Sequence, residues 1–147
     1  MNSFENKKLE SLIAEAQGFI SSDKYEKAIE ILDEALKMEP KDLAALYGKG
    51  LSLNELGKYY EALVILDQVL IIDPKNTYAL NSQAFALHKL NRHNAALDIL
   101  ERALKINPND KATRENYEKE SWEIARLVAK EFMYPDKKDK ANDAKNK

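Results

Sequence analysis

A repeat of 34 residues constrains the fold of this chain more than any other feature. Pro40, Pro74 and Pro108 stand 34 residues apart, and Asp or Asn follows each of them by two residues. Residues at the same place in successive repeats form a column, and several columns are apolar: Leu12, Leu46 and Leu80; Ala28, Ala62 and Ala96; Leu32, Leu66 and Leu100. A repeat of this length buries its apolar face only against its neighbours, so the pattern predicts a stacked array.

Each repeat is predicted to form a pair of α-helices. Leu46, Gly50 and Leu53 recur at steps of three and four residues, which is typical of the buried face of a helix. Gly50 belongs to a column of small residues that lets the two helices of a pair approach closely. The turns contain residues that tolerate a left-handed backbone, and N-cap residues follow the prolines: Asp23, Gly57 and Asn91 in the turns, Asp42, Asn76 and Asp110 as caps.

Composition narrows the class of protein. The 147 residues are 44% hydrophobic and 33% charged with only four Gly and four Pro, which favours a mostly helical domain. A net charge of −2 gives no electrostatic reason to expect nucleic acid or an anionic membrane as partner. No Cys, no secretory leader pattern and no long apolar run occur in the sequence, so we expect a soluble, cytoplasmic protein.

These residues closely resemble the tetratricopeptide repeat (TPR) family. The family pattern of a small residue, a Gly-x-Tyr-x-x-Ala turn, Ala-Leu and Pro is matched by Gly50, Gly57 to Ala62, Val69-Leu70 and Pro74. The resemblance covers about residues 9–110 and implies an all-α fold. The expected architecture is a right-handed α-α superhelix, or solenoid, of three helix hairpins followed by a longer C-terminal capping helix.

The predicted domain spans residues 1–134. A helix ended by Pro135 would cover the last hairpin, and the Lys-rich segment after it has nothing to bury, so we expect that segment to be disordered. The expected bounds are repeats at about 9–42, 43–76 and 77–110, a capping helix at about 110–134, and a tail at 135–147.

The resemblance implies a concave groove lined by the first helix of each repeat, which would bind a peptide segment of another protein. The columns that match groove-lining positions hold several aromatic and amide side chains, suited to a peptide with apolar anchors. The candidate residues are Ile13, Gln17, Tyr47, Leu51, Asn54, Tyr78, Asn81, Phe85, His88 and Trp122. An alternative interpretation is that some of them, Leu51 and Phe85 especially, pack between repeats.

The resemblance also argues against one class of ligand. A well-studied branch of the family holds the C-terminal carboxylate of heat-shock chaperones with Lys, Asn and Arg side chains. Charge-assisted hydrogen bonds of that kind need cations. The matching positions of this chain carry none, which disfavours a chaperone tail as ligand: Ile13, Gln17, Gly48, Tyr78 and Ser82.

The sequence predicts neither catalysis nor a metal site. His88 and His93 are the only histidines, and their spacing places them on different faces of a helix even without the turn between them. No phosphate-binding loop or nucleophile motif occurs, so we expect a non-catalytic adaptor without a cofactor. A second hypothesis is a structural module that forms a homodimer through the capping helix, by Val128, Phe132 and Met133.

Overall fold

A computed structural model of the chain describes residues 1–134. Over these residues the protein is entirely helical, which confirms the predicted all-α class. The predicted tail, residues 135–147, lies outside the described residues. None of the described helices is both long and apolar enough to cross a lipid bilayer. The seven helices are α1 (Ser3–Ser21), α2 (Tyr25–Met38), α3 (Leu43–Glu55), α4 (Tyr59–Ile72), α5 (Thr77–Lys89), α6 (His93–Ile106) and α7 (Lys111–Met133).

The turns inside the three hairpins lie where the sequence predicts them. Asp23 and Asn91 have φ 57°, and Gly57 has φ 75°. This left-handed backbone ends the first helix of each pair and reverses the chain within a few residues. Asp and Asn tolerate it better than most non-glycine residues, because their short polar side chains bond locally.

Polar side chains cap the first helices of the repeats. Asp42 accepts a hydrogen bond from the Ala45 N–H at 2.8 Å, and Asn76 caps α5 in the same way. Asp110 precedes α7 but accepts from the Thr113 hydroxyl instead of a backbone N–H. At the other end of the chain, Asn2 forms a reciprocal capping box with the third helical residue, so α1 begins at Ser3, well before residue 9.

The core runs along the stack as three successive clusters. The first draws on α1 to α3, the middle one on α3 to α6, and the last on α5 and α6. Leu32, Leu66 and Leu100, which share one column, are buried in these three clusters. Each helix packs on the next along the chain, and α1 packs on α3 and α3 on α5. The first helices of the hairpins therefore lie side by side.

A polar contact between hairpins recurs at the repeat period. An acidic side chain on the second helix of one hairpin meets a donor on the first helix of the next. The pairs are Asp33 with Lys49 at 2.6 Å, Asp67 with Gln83 at 2.6 Å, and Glu101 with Tyr117 at 3.3 Å. Because the third pair joins α6 to α7, the last helix continues the stack in the position of another first helix.

Candidate functional site

Two tyrosine rings lie together on neighbouring first helices. Tyr47 on α3 and Tyr78 on α5 have ring centroids 6.4 Å apart at an interplanar angle of 61°, an edge-to-face arrangement. Tyr47 is half-buried and packs on the middle core cluster. Tyr78 keeps 74% of its surface exposed. This aromatic pair therefore presents a large apolar surface that the fold itself does not bury.

Phe85 extends the aromatic surface along α5. Its ring lies 6.3 Å from that of Tyr59, the first residue of α4, and the Lys89 ammonium lies 5.5 Å from its centroid. Phe85 thus contacts the preceding hairpin and still remains exposed. Leu51, one repeat earlier in the same column, is half-buried. The alternative interpretation, that Phe85 packs between repeats, therefore holds for part of its side chain.

Two of the three predicted groove amides, Asn54 and Asn81, serve the stack itself. Asn54 is only 4% exposed and donates to the Ser82 carbonyl at 3.0 Å, so it fastens α3 to α5. Asn81 donates to Thr77 O and, at 2.7 Å, to the Thr113 hydroxyl of α7. The structure therefore places Asn54 inside the stack rather than on the groove surface, and Asn81 at the junction of α5 with α7.

The remaining predicted groove residues lie at the two ends of the stack. Ile13 is half-buried against the first core cluster, and Gln17 is exposed on α1. Trp122 on α7 is 77% exposed and shares a column with Asn54. The shallow depression beside Trp122 is lined by α7 residues alone, so this ring lies apart from the aromatic pair.

A cavity of about 260 Å³ opens between α5 and α7. Its lining mixes apolar, amide and charged groups. Three of the lining residues, Asn81, Phe85 and His88, are predicted groove residues. The α5 side chains are Asn81, Phe85, His88 and Lys89; those of α7 are Asn116, Lys119 and Glu120; Ala84 and Leu100 complete the wall. The cavity places an aromatic ring next to two ammonium groups at the C-terminal end of the groove.

Both histidines meet one buried carboxylate at this end. Glu120 is 4% exposed; its Oε2 lies 2.8 Å from His88 Nδ1 and its Oε1 lies 2.5 Å from His93 Nδ1. The two imidazole centroids are 5.3 Å apart. The sequence places the two histidines on different faces of a helix, but in the structure they lie on different helices and close together, because the turn through Asn91 folds the first residue of α6 back beside the end of α5.

A signal for this cluster exists in the columns. Glu120 stands where the earlier repeats have Gly18, Ser52 and Ala86, all small residues. His93 replaces the tyrosine of the two earlier repeats, and His88 replaces Asn54. Two departures from shared columns, Glu120 and His93, therefore fall at one junction beside His88, whose column varies along the chain, and comparison of columns shows them where spacing along one helix does not.

The outer face of α4 carries apolar residues that the sequence reasoning missed. Tyr60, Val64 and Ile71 are exposed there. The signal is again a departure, since the same columns in the other two hairpins hold polar or charged residues: Glu26, Glu30 and Lys37 in α2, and Asn94, Asp98 and Lys105 in α6.

The last turns of α7 are also apolar and exposed. Val128, Phe132 and Met133 all lie on the surface, with Phe132 at 82% exposure. These are the residues on which the sequence-based hypothesis of a homodimer depends. An exposed apolar row of this kind is buried only when another molecule or another segment packs against it.

The positions that would hold a free carboxylate contain no cation. Gly48 is buried, and a Cβ atom there would lie 3.2 Å from Leu32 Cδ1, so the backbone is packed too closely for a long side chain. Ser82 is buried as well, and Tyr78 fills the neighbouring surface with an aromatic ring. The nearby Lys49 is already paired with Asp33 at 2.6 Å.

Comparison with known families identifies the class of protein. A tetratricopeptide repeat family model matches residues 19–84 and, in a second overlapping placement, residues 53–114. These matches span most of the chain, and the protein belongs to the tetratricopeptide repeat family. No curated protein sequence matches the chain at a significant level.

Solved TPR domains share the fold. The second TPR domain of human RPAP3, in complex with the HSP70 peptide SGPTIEEVD, aligns with a TM-score of 0.74 and 21% identity over 80% of this chain and 98% of that one. The Sgt2 TPR domain from Aspergillus fumigatus gives 0.76 and 19% over 82% and 81% of the two chains. The TPR2B domain of yeast Sti1, in a pHsp70 complex, gives 0.73 and 21% over 80% and 98%. These matches confirm the predicted solenoid of helix hairpins.

Proposed function

We propose that this protein is a non-catalytic adaptor that binds a peptide segment of a partner protein in the groove lined by α1, α3 and α5. The main support for the proposal is the aromatic pair. The Tyr78 ring contacts Tyr47 but stays mostly exposed, so its burial contributes little to the stability of the fold. The RPAP3 and Sti1 domains of similar fold are in complexes with a peptide and with pHsp70, which supports such a role. The absence of Cys, which leaves no disulfide to form in an oxidising compartment, supports a cytoplasmic setting.

The chemistry of the groove favours a peptide anchored by apolar side chains. Exposed aromatic rings that become buried on binding are the usual energetic centres of such interfaces. Beyond the aromatic pair, the cavity beside Phe85 offers an apolar wall with Lys89 and Lys119 at its edge. An apolar side chain followed by an acidic one fits that end of the groove.

The test begins with selection of a ligand from a phage-displayed library of random linear peptides. The most enriched peptide is synthesised, and its Kd is measured by fluorescence polarisation for the wild type, Tyr47→Ala and Tyr78→Ala. Tyr60→Ala is the matched control, since it removes an exposed tyrosine from α4 rather than from the groove. We expect each groove substitution to weaken binding at least about tenfold, or about 1.4 kcal/mol, with no change for the control. Unchanged Kd values for both groove variants would contradict the proposal.

A second probe tests the class of peptide. The peptide SGPTIEEVD, present in the RPAP3 complex, should bind this protein weakly, because Ile13, Gln17, Gly48, Tyr78 and Ser82 stand at the positions that would hold its terminal carboxylate and none of them is a cation. Tight binding that is abolished by amidation of the C-terminus would show that a free carboxylate is held, and the preference for apolar anchors would then be wrong.

The exposed end of α7 favours self-association as a second candidate function. Val128, Phe132 and Met133 would pair with the same row of another copy. Light scattering of the wild type at tens of micromolar should give the mass of a dimer, and Phe132→Glu should give that of a monomer. Phe4→Glu, at the exposed opposite end of the stack, is the control and should leave the mass unchanged. A monomeric wild type would eliminate this function.

A further inference from the structure

Three side chains with metal-binding atoms converge from three different helices. His88 lies near the end of α5, His93 begins α6, and Glu120 lies in the middle of α7. One donor atom from each lies within 4.8 Å of the donors of the other two. The cluster forms where the capping helix meets the last hairpin, apart from the aromatic pair that carries the proposed peptide site.

We propose that His88, His93 and Glu120 form a binding site for a zinc ion that fastens α7 to the last hairpin. Two imidazoles and one carboxylate are a familiar donor set for zinc, with water in the fourth position. Zinc bonds of about 2.0–2.2 Å place tetrahedral donors about 3.3 Å apart. The present Nδ1 to carboxylate distances are 2.8 and 2.5 Å, and all three donor atoms lie within 4.8 Å of one another, so the ion enters after small shifts of the three side chains.

The preceding junction of the stack closes without residues of these types. At the corresponding places the junction of α3 with α5 uses Asn54, Tyr59 and Ala86, and it closes with small residues and a single amide hydrogen bond. One repeat after Ala86, the same column holds Glu120, which places a carboxylate at a buried position. A buried carboxylate is costly unless it is paired. A divalent cation held by Glu120 and the two imidazoles would add a full countercharge to the contacts that this carboxylate already makes with His88 and His93.

The surroundings allow an ion to enter. The 260 Å³ cavity opens against both His88 and Glu120, and the His88 side chain is half exposed. Lys119 lines the same cavity, and Glu123 lies on the next turn of α7, where it pairs with Arg126. The pKa of Glu123 is lowered mainly by its hydrogen bond to Arg126, and charge on either histidine lowers it further, which places this second carboxylate within electrostatic reach of the cluster.

The donor set selects among metals. Imidazole nitrogen suits zinc and the neighbouring transition metals, whereas magnesium and calcium prefer all-oxygen sites. Zinc is therefore the ion expected at this site. Fixing α7 in this way gives the site a structural role, and no bond-making chemistry is assigned to it.

The experiment uses the full chain without an affinity tag, dialysed free of metal and without peptide. The repeat supplies the variants: His88→Asn, His93→Tyr and Glu120→Ala introduce residues found in the same columns. In calorimetric titration with zinc chloride, we expect one ion per wild-type chain and at least tenfold weaker binding for each variant. The double variant His88→Asn, His93→Tyr should show no specific binding. Glu118→Gln, an exposed position on α7, is the control and should bind like the wild type.

Two further measurements do not depend on the fit of a binding curve. Zinc at about a hundredfold excess over Kd should raise the Tm of the wild type by about 5–10 °C and leave that of the double variant unchanged. Cobalt chloride should give the intense visible absorption of a tetrahedral site in the wild type only, and magnesium should have no effect. The site is refuted if the wild type takes up no more zinc than the double variant while both show the same helical circular dichroism. That result would leave the peptide-binding proposal untouched.

Discussion

The junction of α3 with α5 and the junction of α5 with α7 occupy the same place in the repeat but are closed in different ways. The first follows the columns, with small residues in contact and one hydrogen bond from Asn54 to a backbone carbonyl. The second sets His88 and His93 against the buried Glu120. Shared columns thus build the scaffold, whereas the departures at the second junction bring together a carboxylate and two imidazoles that the first junction lacks.

The largest effect is expected from breaking a shared column. Leu66→Ala removes a side chain that is fully buried in the middle cluster, and should lower the free energy of unfolding by about 2–5 kcal/mol. Val64→Ala on the exposed face of α4 is the control and should change it by less than about 0.5 kcal/mol. Urea unfolding followed by circular dichroism measures both. Equal effects of the two substitutions would mean that the core does not lie where the columns place it.

A smaller effect is expected at the last junction. With a chelator present, His93→Ala leaves one oxygen of the buried Glu120 without its partner, and should lower the free energy of unfolding by about 1–3 kcal/mol. His88→Ala should have less effect, because that side chain is half exposed and water can replace it. Urea unfolding followed by circular dichroism measures the loss of stability in both variants. If His88→Ala proves the more damaging, the exposed histidine rather than the buried one supports Glu120.

A substitution at the junction of α3 with α5 should lower the free energy of unfolding less than His93→Ala does at the junction of α5 with α7. Asn54→Ala removes one hydrogen bond from a neutral amide, which contributes about 0.5–1.5 kcal/mol. Asn94→Ala, exposed on α6, controls for the loss of an amide and should have little effect. A loss for Asn54→Ala that exceeds the loss for His93→Ala would reverse the comparison between the two junctions.

The smallest effect concerns the column that Tyr25 shares with His93. The Tyr25 hydroxyl donates to Asp23 at 2.7 Å, and this bond raises the phenol pKa from 10.0 to about 12. Because the folded pKa is the higher one, the bond stabilises the protein fully below pH 10 and is lost as the pH rises from 10 towards 12. The difference in unfolding free energy between the wild type and Tyr25→Phe should shrink over that range. A difference that grows with pH would contradict the assignment.

Much of the scaffold could be predicted from the columns, because turns and caps are local. Asp23, Gly57 and Asn91 adopt the left-handed backbone that the sequence indicates. The beginning of α1 was missed, since its Asn2 capping box lies before the first repeat. The histidine cluster was missed because spacing along a helix does not show what a reversal of the chain brings together. Asn54 illustrates a further limit, since its column serves the junction rather than the groove surface.

Amide chemical-shift mapping shows where on the protein a peptide binds, and so decides whether it lies against the first helices of the hairpins. The selected peptide is titrated into labelled protein while the backbone resonances are followed. Binding as proposed shifts the amides around Tyr47, Leu51, Tyr78 and Phe85 and leaves the outer face of α4 unperturbed. Shifts confined to that outer face, around Tyr60 and Val64, would contradict a binding site in the groove.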